Sequence, residues 1–331
     1  MIDPFVTKGI SFFRGKKVAV TGASGLIGSY AVKLLKESGA YVKAIINSRP
    51  PNTFTRMADE VRHFDLATPT GAHAAIAGCE AVFGGAGITG GVNLPKLDPV
   101  SYVGPASAMV INTLQACVEE KVPLFGYLSS TTVYPPAEHH VREDEADKPL
   151  PLYPLYRGIG LSKRFLERLC LYYQETTGLK ISVARPAGAY GRFDNFDEKT
   201  SHVLPGMVER AIRTAAEGGK TFEVWGDGND VRDFIHAQDV AAGLLMGMAV
   251  KADSAPINIA SGTGITTAQL AETIIRAAGS PASLSFSTSK PSALRTRLVD
   301  ISLAKDSLGW TPQISLADGV RDVIAWRKET K

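Results

Sequence analysis

Val18, Ala19 and Val20 form an apolar run with no polar alternation, the pattern of a strand buried on both faces of a sheet. Residues 41–47, 61–64, 81–87, 124–128 and 181–184 read as five further strands. Stretches with a 3.6-residue apolar period lie between some of them. Ile27, Ala31, Leu34 and Leu35 fall on one face of a helix that Gly39 ends, and Ile111, Leu114 and Val118 do the same for a helix over 110–120. The first strand runs straight into Gly22, Gly25 and Gly28. Gly22 lets the chain turn, Gly25 lets backbone approach a pyrophosphate, and Gly28 lets the new helix pack against the sheet. The free N–H groups of that helix then face the phosphates, where its dipole favours negative charge. An ordinary strand-to-helix turn is the other reading of three glycines; the helical period that follows at once favours the first.

Composition narrows the function. A chain of 331 residues suits one large α/β domain or two intimately joined lobes. Its 36 basic and 33 acidic residues are scattered and leave a net charge of +3, so charge makes no case for nucleic acid or a membrane surface. The nearly apolar stretch 240–250 is about half the ~20 residues of a membrane span. Residues 1–8 lack the charged region and apolar block of a secretory signal. Cys79, Cys117 and Cys170 lie far apart with no Cys-x-x-Cys spacing, which favours buried thiols in a reducing compartment over a disulfide or a metal site. A cytoplasmic protein without a metal is expected.

The C-terminal edge of the second strand carries Asn47, Ser48 and Arg49, where an acidic residue would accept hydrogen bonds from an NAD ribose. With no carboxylate to repel a 2′-phosphate and an arginine to grip one, NADP is favoured over NAD; alternatively Arg49 points into water ahead of Pro50 and Pro51. Past the fifth strand come Ser129, Ser130, Thr131 and Thr132, whose hydroxyls would line the crevice of a doubly wound sheet and bond a substrate oxygen.

Thr21-Gly22-Ala23-Ser24-Gly25-Leu26-Ile27-Gly28 resembles the fingerprint of the short-chain dehydrogenase/reductase superfamily, and its ending resembles the extended branch that handles nucleotide sugars. That resemblance makes Gly22, Ser24, Gly25, Leu26, Ile27 and Gly28 cofactor contacts, sets Asp65 and Leu66 beside the adenine, an ordinary strand-closing aspartate being the other reading, and matches the small-residue turn 84–87. Aligning Val133-Tyr134 with the family's Val-Tyr puts Ser130 at the catalytic serine or threonine. The two positions after it, acidic in nucleotide-sugar 4,6-dehydratases, are Thr131 and Thr132, so elimination of water through an acidic pair is not expected. The family's Tyr-Gly-x-Ser-Lys matches Gly160, Ser162 and Lys163, but Ile159 occupies the tyrosine position. An isoleucine cannot donate a proton. Either the relay is broken or another group supplies it; Tyr156, seven residues before Lys163, is two helical turns away and shares its face if the helix starts early. Lys163 keeps the family role of bonding the nicotinamide ribose, the other reading being a solvated helix lysine.

Further on, Asn195-Phe196 followed by His202-Val203-Leu204-Pro205 resembles GDP-fucose synthase-like epimerase/reductases more than UDP-galactose epimerases. There a histidine is an acid/base alongside a cysteine; His202 matches the first, and the cysteine position falls on Thr132, a poor acid or base at neutral pH. Asn195 is carried over as a substrate contact. His202 satisfied at a helix entry is the alternative. Phe222 to Gly228, then Arg232-Asp233-Phe234-Ile235-His236 and Asp239, match another family signature in which Arg232 binds the nucleotide diphosphate and the two aspartates tie the lobes together. Arg297 is a second phosphate candidate; surface ion pairing is the other reading of both arginines.

The resemblance covers essentially the whole chain. It implies an α/β fold, a doubly wound parallel Rossmann sheet over 1–185 plus 236–260 with a smaller substrate-binding lobe over 186–235 plus 261–331. The implied activity is an NAD(P)-dependent nucleotide-sugar epimerase or reductase transferring hydride at a hexose 4-position. A regulatory or scaffolding subunit that binds cofactor without redox turnover is the alternative. The partner is a nucleotide-diphosphate sugar, with neither nucleic acid nor membrane. Many relatives dimerise through two helices, so a homodimer is expected, for which Leu114, Leu166 and Leu169 are apolar candidates unless the core takes them.

Overall fold

Seven parallel strands form the centre of the computed structural model, which describes residues 9–88, 99–198, 200–288 and 295–330. They are β1 (Lys17–Thr21), β2 (Tyr41–Ile46), β3 (Glu60–His63), β4 (Ala81–Gly84), β5 (Leu124–Leu128), β6 (Lys180–Pro186) and β7 (Asp253–Ile259). Their order is β7-β6-β5-β4-β1-β2-β3, a doubly wound Rossmann sheet. The chain moves outward from β1 through β2 and β3, then returns to add β4 on the other side of β1. This reversal opens a crevice at the carboxyl ends of β1 and β4, where such sheets take ligands. The start of the chain, 1–8, on which the expectation about a secretory signal rests, lies outside the described residues.

Alternate residues of each strand face different layers. Val18 and Val20 pack with α1 (Leu26–Glu37) and the helix Ala237–Val250, whereas Ala19 faces α2 (Pro69–Ile76), α3 (Pro99–Glu119) and α4 (Arg157–Thr177). Both layers exclude water, which is why the strands read as apolar runs. The six expected strands are present. The seventh was not signalled, because Ser254, Pro256 and Asn258 interrupt its apolar pattern; it lies at the sheet edge, where a proline costs no ladder bond.

The apolar stretch 240–250 lies in the buried helix Ala237–Val250, pressed against the sheet. Among the described residues no helix is long and apolar enough to cross a membrane. The three cysteines are free thiols in the α2–α4 layer. Leu114 and Leu166 are core residues too, so the apolar side chains left on the outer face of α4 are instead Leu161, Phe165 and Tyr172, each at least half exposed.

A second hydrophobic core gathers α5 (Val203–Ala216), α7 (Thr267–Ala278) and α9 (Leu316–Glu329) around a parallel pair, Thr221–Trp225 with Ser283–Ser287; the helix Ala237–Val250 is α6 and Ser302–Leu308 is α8. Ala304, Leu308 and Trp310 pack on the Rossmann side instead. Between the two cores a small four-stranded sheet orders Ile265–Thr266, Val231–Arg232, Thr296–Val299 and His140–Val141. Buried carboxylates bind the parts together. Asp233 accepts the N–H groups of Ser261 and Gly262 at 2.9 and 2.8 Å, and Asp239 at the start of α6 accepts that of Ile314 at 3.0 Å.

Candidate active site

The glycines of the first turn separate into two kinds. Gly22 has φ +64°, and a Cβ there would come within 2.6 Å of the Gly85 carbonyl oxygen, so the turns after β1 and β4 touch backbone to backbone. A Cβ on Gly28 would drive into the Gly22 carbonyl, so α1 starts where only glycine fits. Packing thus explains these two. Gly25 is less constrained, its Cβ meeting only the Gly22 oxygen at a tight 3.2 Å, and a Cβ on Gly87 would have nothing among the described residues within 4 Å. Both leave bare backbone in the turns that follow β1 and β4. Among the described residues no side chain caps α1, which leaves the first-turn N–H groups at Leu26, Ile27 and Gly28 to an external acceptor. This cradle fits a dinucleotide's pyrophosphate.

The loop after β2 is fastened to the cradle by a residue that the sequence reading missed. Asn52 donates to Ser29 Oγ at 2.7 Å and to the Ser24 carbonyl at 3.4 Å, while its Oδ1 accepts the N–H groups of Phe54 and Thr55 at 3.0 Å. Ser24 Oγ donates to the Arg49 carbonyl at 3.1 Å. Asn47, Ser48 and Arg49 are exposed, and the Arg49 guanidinium donates to the Phe193 carbonyl at 3.4 Å. A 2′-phosphate fits this edge, which carries a cation and no acid. Asp65 is exposed and accepts the Ala67 N–H at 2.9 Å, whereas the Leu66 side chain is buried in the core and offers a ligand backbone only.

At the end of β5, Ser130 Oγ accepts the Thr132 N–H at 3.1 Å and starts the helical turn Thr131–Val133. Thr132 Oγ1 is buried and has no hydrogen-bond partner among the described residues. Helix α4 lies on this turn through Gly160, where a Cβ would collide with the Thr132 carbonyl oxygen. Ile159 precedes the contact and Lys163 follows one turn later. Lys163 Nζ donates to the Leu128 carbonyl at 2.8 Å and stands 4.9 Å from the Tyr127 ring centre. Burial pulls the ammonium down to about 8 against the pull of Glu167. Glu167 cannot neutralise it closely, being occupied by Ser129 Oγ and by a two-pronged pair with Arg185 at 3.0 and 2.7 Å. Arg185 continues to the Tyr134 hydroxyl, which donates to Asn258 on β7. Glu167 and Asn258 carry no local signal of this role, since their partners come from distant strands.

Tyr156 does not extend the lysine's helix. It ends a short turn, Pro154–Tyr156, and α4 begins at Arg157. Its ring lies 4.4 Å from the Arg297 guanidinium carbon and 5.9 Å from the ring of Tyr153. Arg297 stands directly opposite Arg232 on paired strands. Arg232 donates to the carbonyls of Val231 and Arg295 and approaches Asp230 at 3.5 Å. Burial lowers the pKa of both guanidinium groups. Thr131, Tyr134 and Pro135 from the hydroxyl turn line one cleft with Arg297, so the turn and that arginine share a space.

His202 precedes α5 with Nδ1 3.7 Å from Asp194 Oδ1. Asp194 holds the imidazole above its ordinary value, opposed by burial and by Arg49. Its charged neighbours therefore lie on the side where β2 ends. Asn195 is engaged locally, donating to Thr200 Oγ1 at 2.8 Å.

The chain matches the NAD dependent epimerase/dehydratase family over residues 18–260. It is 27% identical over 313 residues to GDP-L-fucose synthase 1 of Arabidopsis thaliana, covering 95% of this chain and 93% of that one. Its fold matches the UDP-glucose 4-epimerase of Thermotoga maritima, solved with UDP-glucose, at a TM-score of 0.83 and 23% identity over 95% of this chain and 99% of that one. A GDP-L-fucose synthetase from Naegleria fowleri, solved with NADP, matches at 0.81 and 22% identity over 95% and 93%.

Proposed function

We propose a function from one premise, that this chain belongs to the NAD dependent epimerase/dehydratase family: it is an NADP-dependent epimerase or reductase of a nucleotide-diphosphate sugar, acting at the hexose 4-position. The observation that carries the reading is the pair Arg232 and Arg297, side by side on neighbouring strands, with Arg297 lining a cleft shared with the hydroxyl turn. Two adjacent guanidinium groups repel unless an anion joins them, and a diphosphate presents oxygens to both forks. The compared enzymes, named for GDP-L-fucose and UDP-glucose, lend support. In the proposed division, 1–185 plus 236–260 holds the dinucleotide, and 186–235 plus 261–331 holds the sugar nucleotide.

The N–H groups at the start of α1 would bind the pyrophosphate, Arg49 with Ser48 and Asn47 the 2′-phosphate, and Asp65 and Leu66 the adenine edge. NADP would supply and recover the hydride. Ser130 orients the sugar oxygen, and Thr131 and Thr132 add hydroxyls without the carboxylates that elimination of water would need. Lys163 bonds the ribose and holds a proton on Nζ that it can release near pH 8, through Ser130 or a water, in place of the phenol absent at Ile159. His202 is kept as a second acid/base and Asn195 as a sugar contact. The three free thiols suit a reducing, cytoplasmic setting.

Ile159 favours a second reading, a cofactor-binding subunit without hydride turnover. Native mass spectrometry of the isolated protein, followed by absorbance assays of NADPH oxidation with GDP-, UDP- and dTDP-linked 4-keto sugars and by chromatography of the corresponding 4-hydroxy sugars for epimerised product, separates the two. Bound dinucleotide with turnover supports the enzyme; bound dinucleotide with no exchange on any sugar supports the subunit. Failure to bind a nicotinamide dinucleotide removes both. A homodimer is proposed through the outer face of α4, where Leu161, Phe165 and Tyr172 recur at helical spacing. Sedimentation should give a dimer for the native chain and a monomer for Phe165→Glu.

A further inference from the structure

We propose that Tyr156 is a positioning residue for the anion grip, its ring face holding the Arg297 guanidinium ready for a diphosphate, and that it is not a substitute for the missing phenol. This inference rests on the nucleotide-sugar reading and assigns one residue of that site a different task.

Arg297 raises a physical problem. It is a long side chain set against a like charge, Arg232, directly across the strand pair. Among the described residues it has neither an ion-pair nor a hydrogen-bond partner, in contrast to Arg185, whose fork is filled by Glu167. Left alone it would turn towards water and lose its aim. The Tyr156 ring at 4.4 Å answers this by attracting the cation through its face, with Tyr153 packed behind at 5.9 Å. A carboxylate in that place would hold the arginine as well but would occupy the N–H groups that a phosphate needs. A ring leaves the planar fork open.

The position of Tyr156 also speaks against proton transfer. The turn Pro154–Tyr156 ends where α4 begins, and the ring goes to the small sheet, while Lys163 goes to the end of β5. The arginine contact depends on the ring face, which a phenylalanine shares; proton transfer depends on the hydroxyl, which it lacks.

Calorimetric titration of the full-length protein with GDP and with UDP, as separate probes, tests this. Arg297→Ala should weaken the nucleotide that binds, and Tyr156→Leu should weaken it about tenfold, the size of a desolvated cation–π contact. Tyr156→Phe should restore that loss, and Tyr156→Leu should add little in the Arg297→Ala background. Thermal melts accompany each variant, and Tyr156→Trp, which keeps a ring face, replaces the leucine variant if that one does not fold; it should bind at least as tightly as wild type. Equal losses for the leucine and phenylalanine variants, or additive losses in the double variant, overturn the inference. If Arg297→Ala weakens binding and Tyr156→Leu does not, the inference falls while the nucleotide-sugar reading stands. If neither probe binds the native chain, dTDP is titrated in the same way, and if it too fails to bind, both readings fall.

Discussion

At position 159 an isoleucine stands one helical turn before Lys163, so the amine that would lower a neighbouring phenol's pKa has no phenol to act on. Lys163 is itself changed by its surroundings. Burial against Tyr127, with Glu167 committed elsewhere, leaves an ammonium that releases its proton at about 8 instead of the usual 10.5. A group with that value is a competent acid below pH 8 and is spent above it. In the reductive direction, kcat should therefore hold steady up to about pH 7 and fall through about pH 8. Lys163→Arg, which keeps the charge and does not titrate, should lose most turnover and the alkaline limb with it; a limb that persists in this variant assigns the titration to another group. Ile159→Tyr should raise kcat by ~10-fold or more if a phenol is what the site lacks, general acids contributing roughly 10²–10⁴. Unchanged kcat at unchanged dinucleotide affinity would show that proton supply does not limit this enzyme. Sequence alone exposed the isoleucine but not the fate of Tyr156. Spacing put Tyr156 and Lys163 on one face, whereas a change of helix type at Arg157 and an arginine 141 residues onward decide where the ring points.

Elements were legible wherever their cause is local. A strand buried on both faces must be apolar, and a turn that presses on another turn must be glycine, so β1, its turn and α1 were readable from Lys17 to Gly39. Strand β7 was hidden because one of its buried polar residues, Asn258, is satisfied by Tyr134, Val141 and Asp300, far away in the chain. Helix α4 shows a local rule and a tertiary demand in conflict. Gly158 and Gly160 weaken a helix start, and alanine at either would improve intrinsic helicity by about 1 kcal/mol. At Gly160 the added methyl would strike the Thr132 backbone carbonyl, which has no rotamer to retreat to, whereas at Gly158 it would meet the phenol tip of Tyr102 at 3.0 Å. Gly160→Ala should consequently lower stability by ~1–3 kcal/mol and displace the hydroxyl turn, with loss of activity, while Gly158→Ala stays near neutral. Chemical denaturation of both variants checks the contrast; equal effects would mean that α4 does not need its close approach.

On the scale of the whole molecule, the two cores are joined by buried polar contacts; burial raises the carboxyls of both Asp233 and Asp239, and Asp239 gives the pH signature that can be worked through. It stands at the first turn of α6 in the Rossmann core and accepts the Ile314 N–H ahead of α9 in the second core. Burial raises its carboxyl to about 6, and the bonds from Ile314 and Gln313 recover part of the cost of keeping it ionised. In the unfolded chain the same group titrates near ~3.9. Between those values the folded state binds a proton that the unfolded state has released, so this group's contribution to stability is most favourable below about pH 4. It declines as pH rises to about 6 and is constant above. Asp239→Asn keeps an oxygen for the Ile314 N–H and carries no charge to desolvate. The variant should therefore gain on wild type as pH rises from 4 to 6, by ~2 kcal/mol at the plateau, since each pKa unit is worth about 1.4 kcal/mol and the new amide N–H groups need partners of their own. Denaturant melts of the two proteins at pH 4, 5, 6 and 7.5 measure the difference directly, other carboxylates cancelling between them. A difference that stays flat over this range would mean that Asp239 is ionised at no cost and that the joint between the two cores is wetter than its 3% exposure indicates.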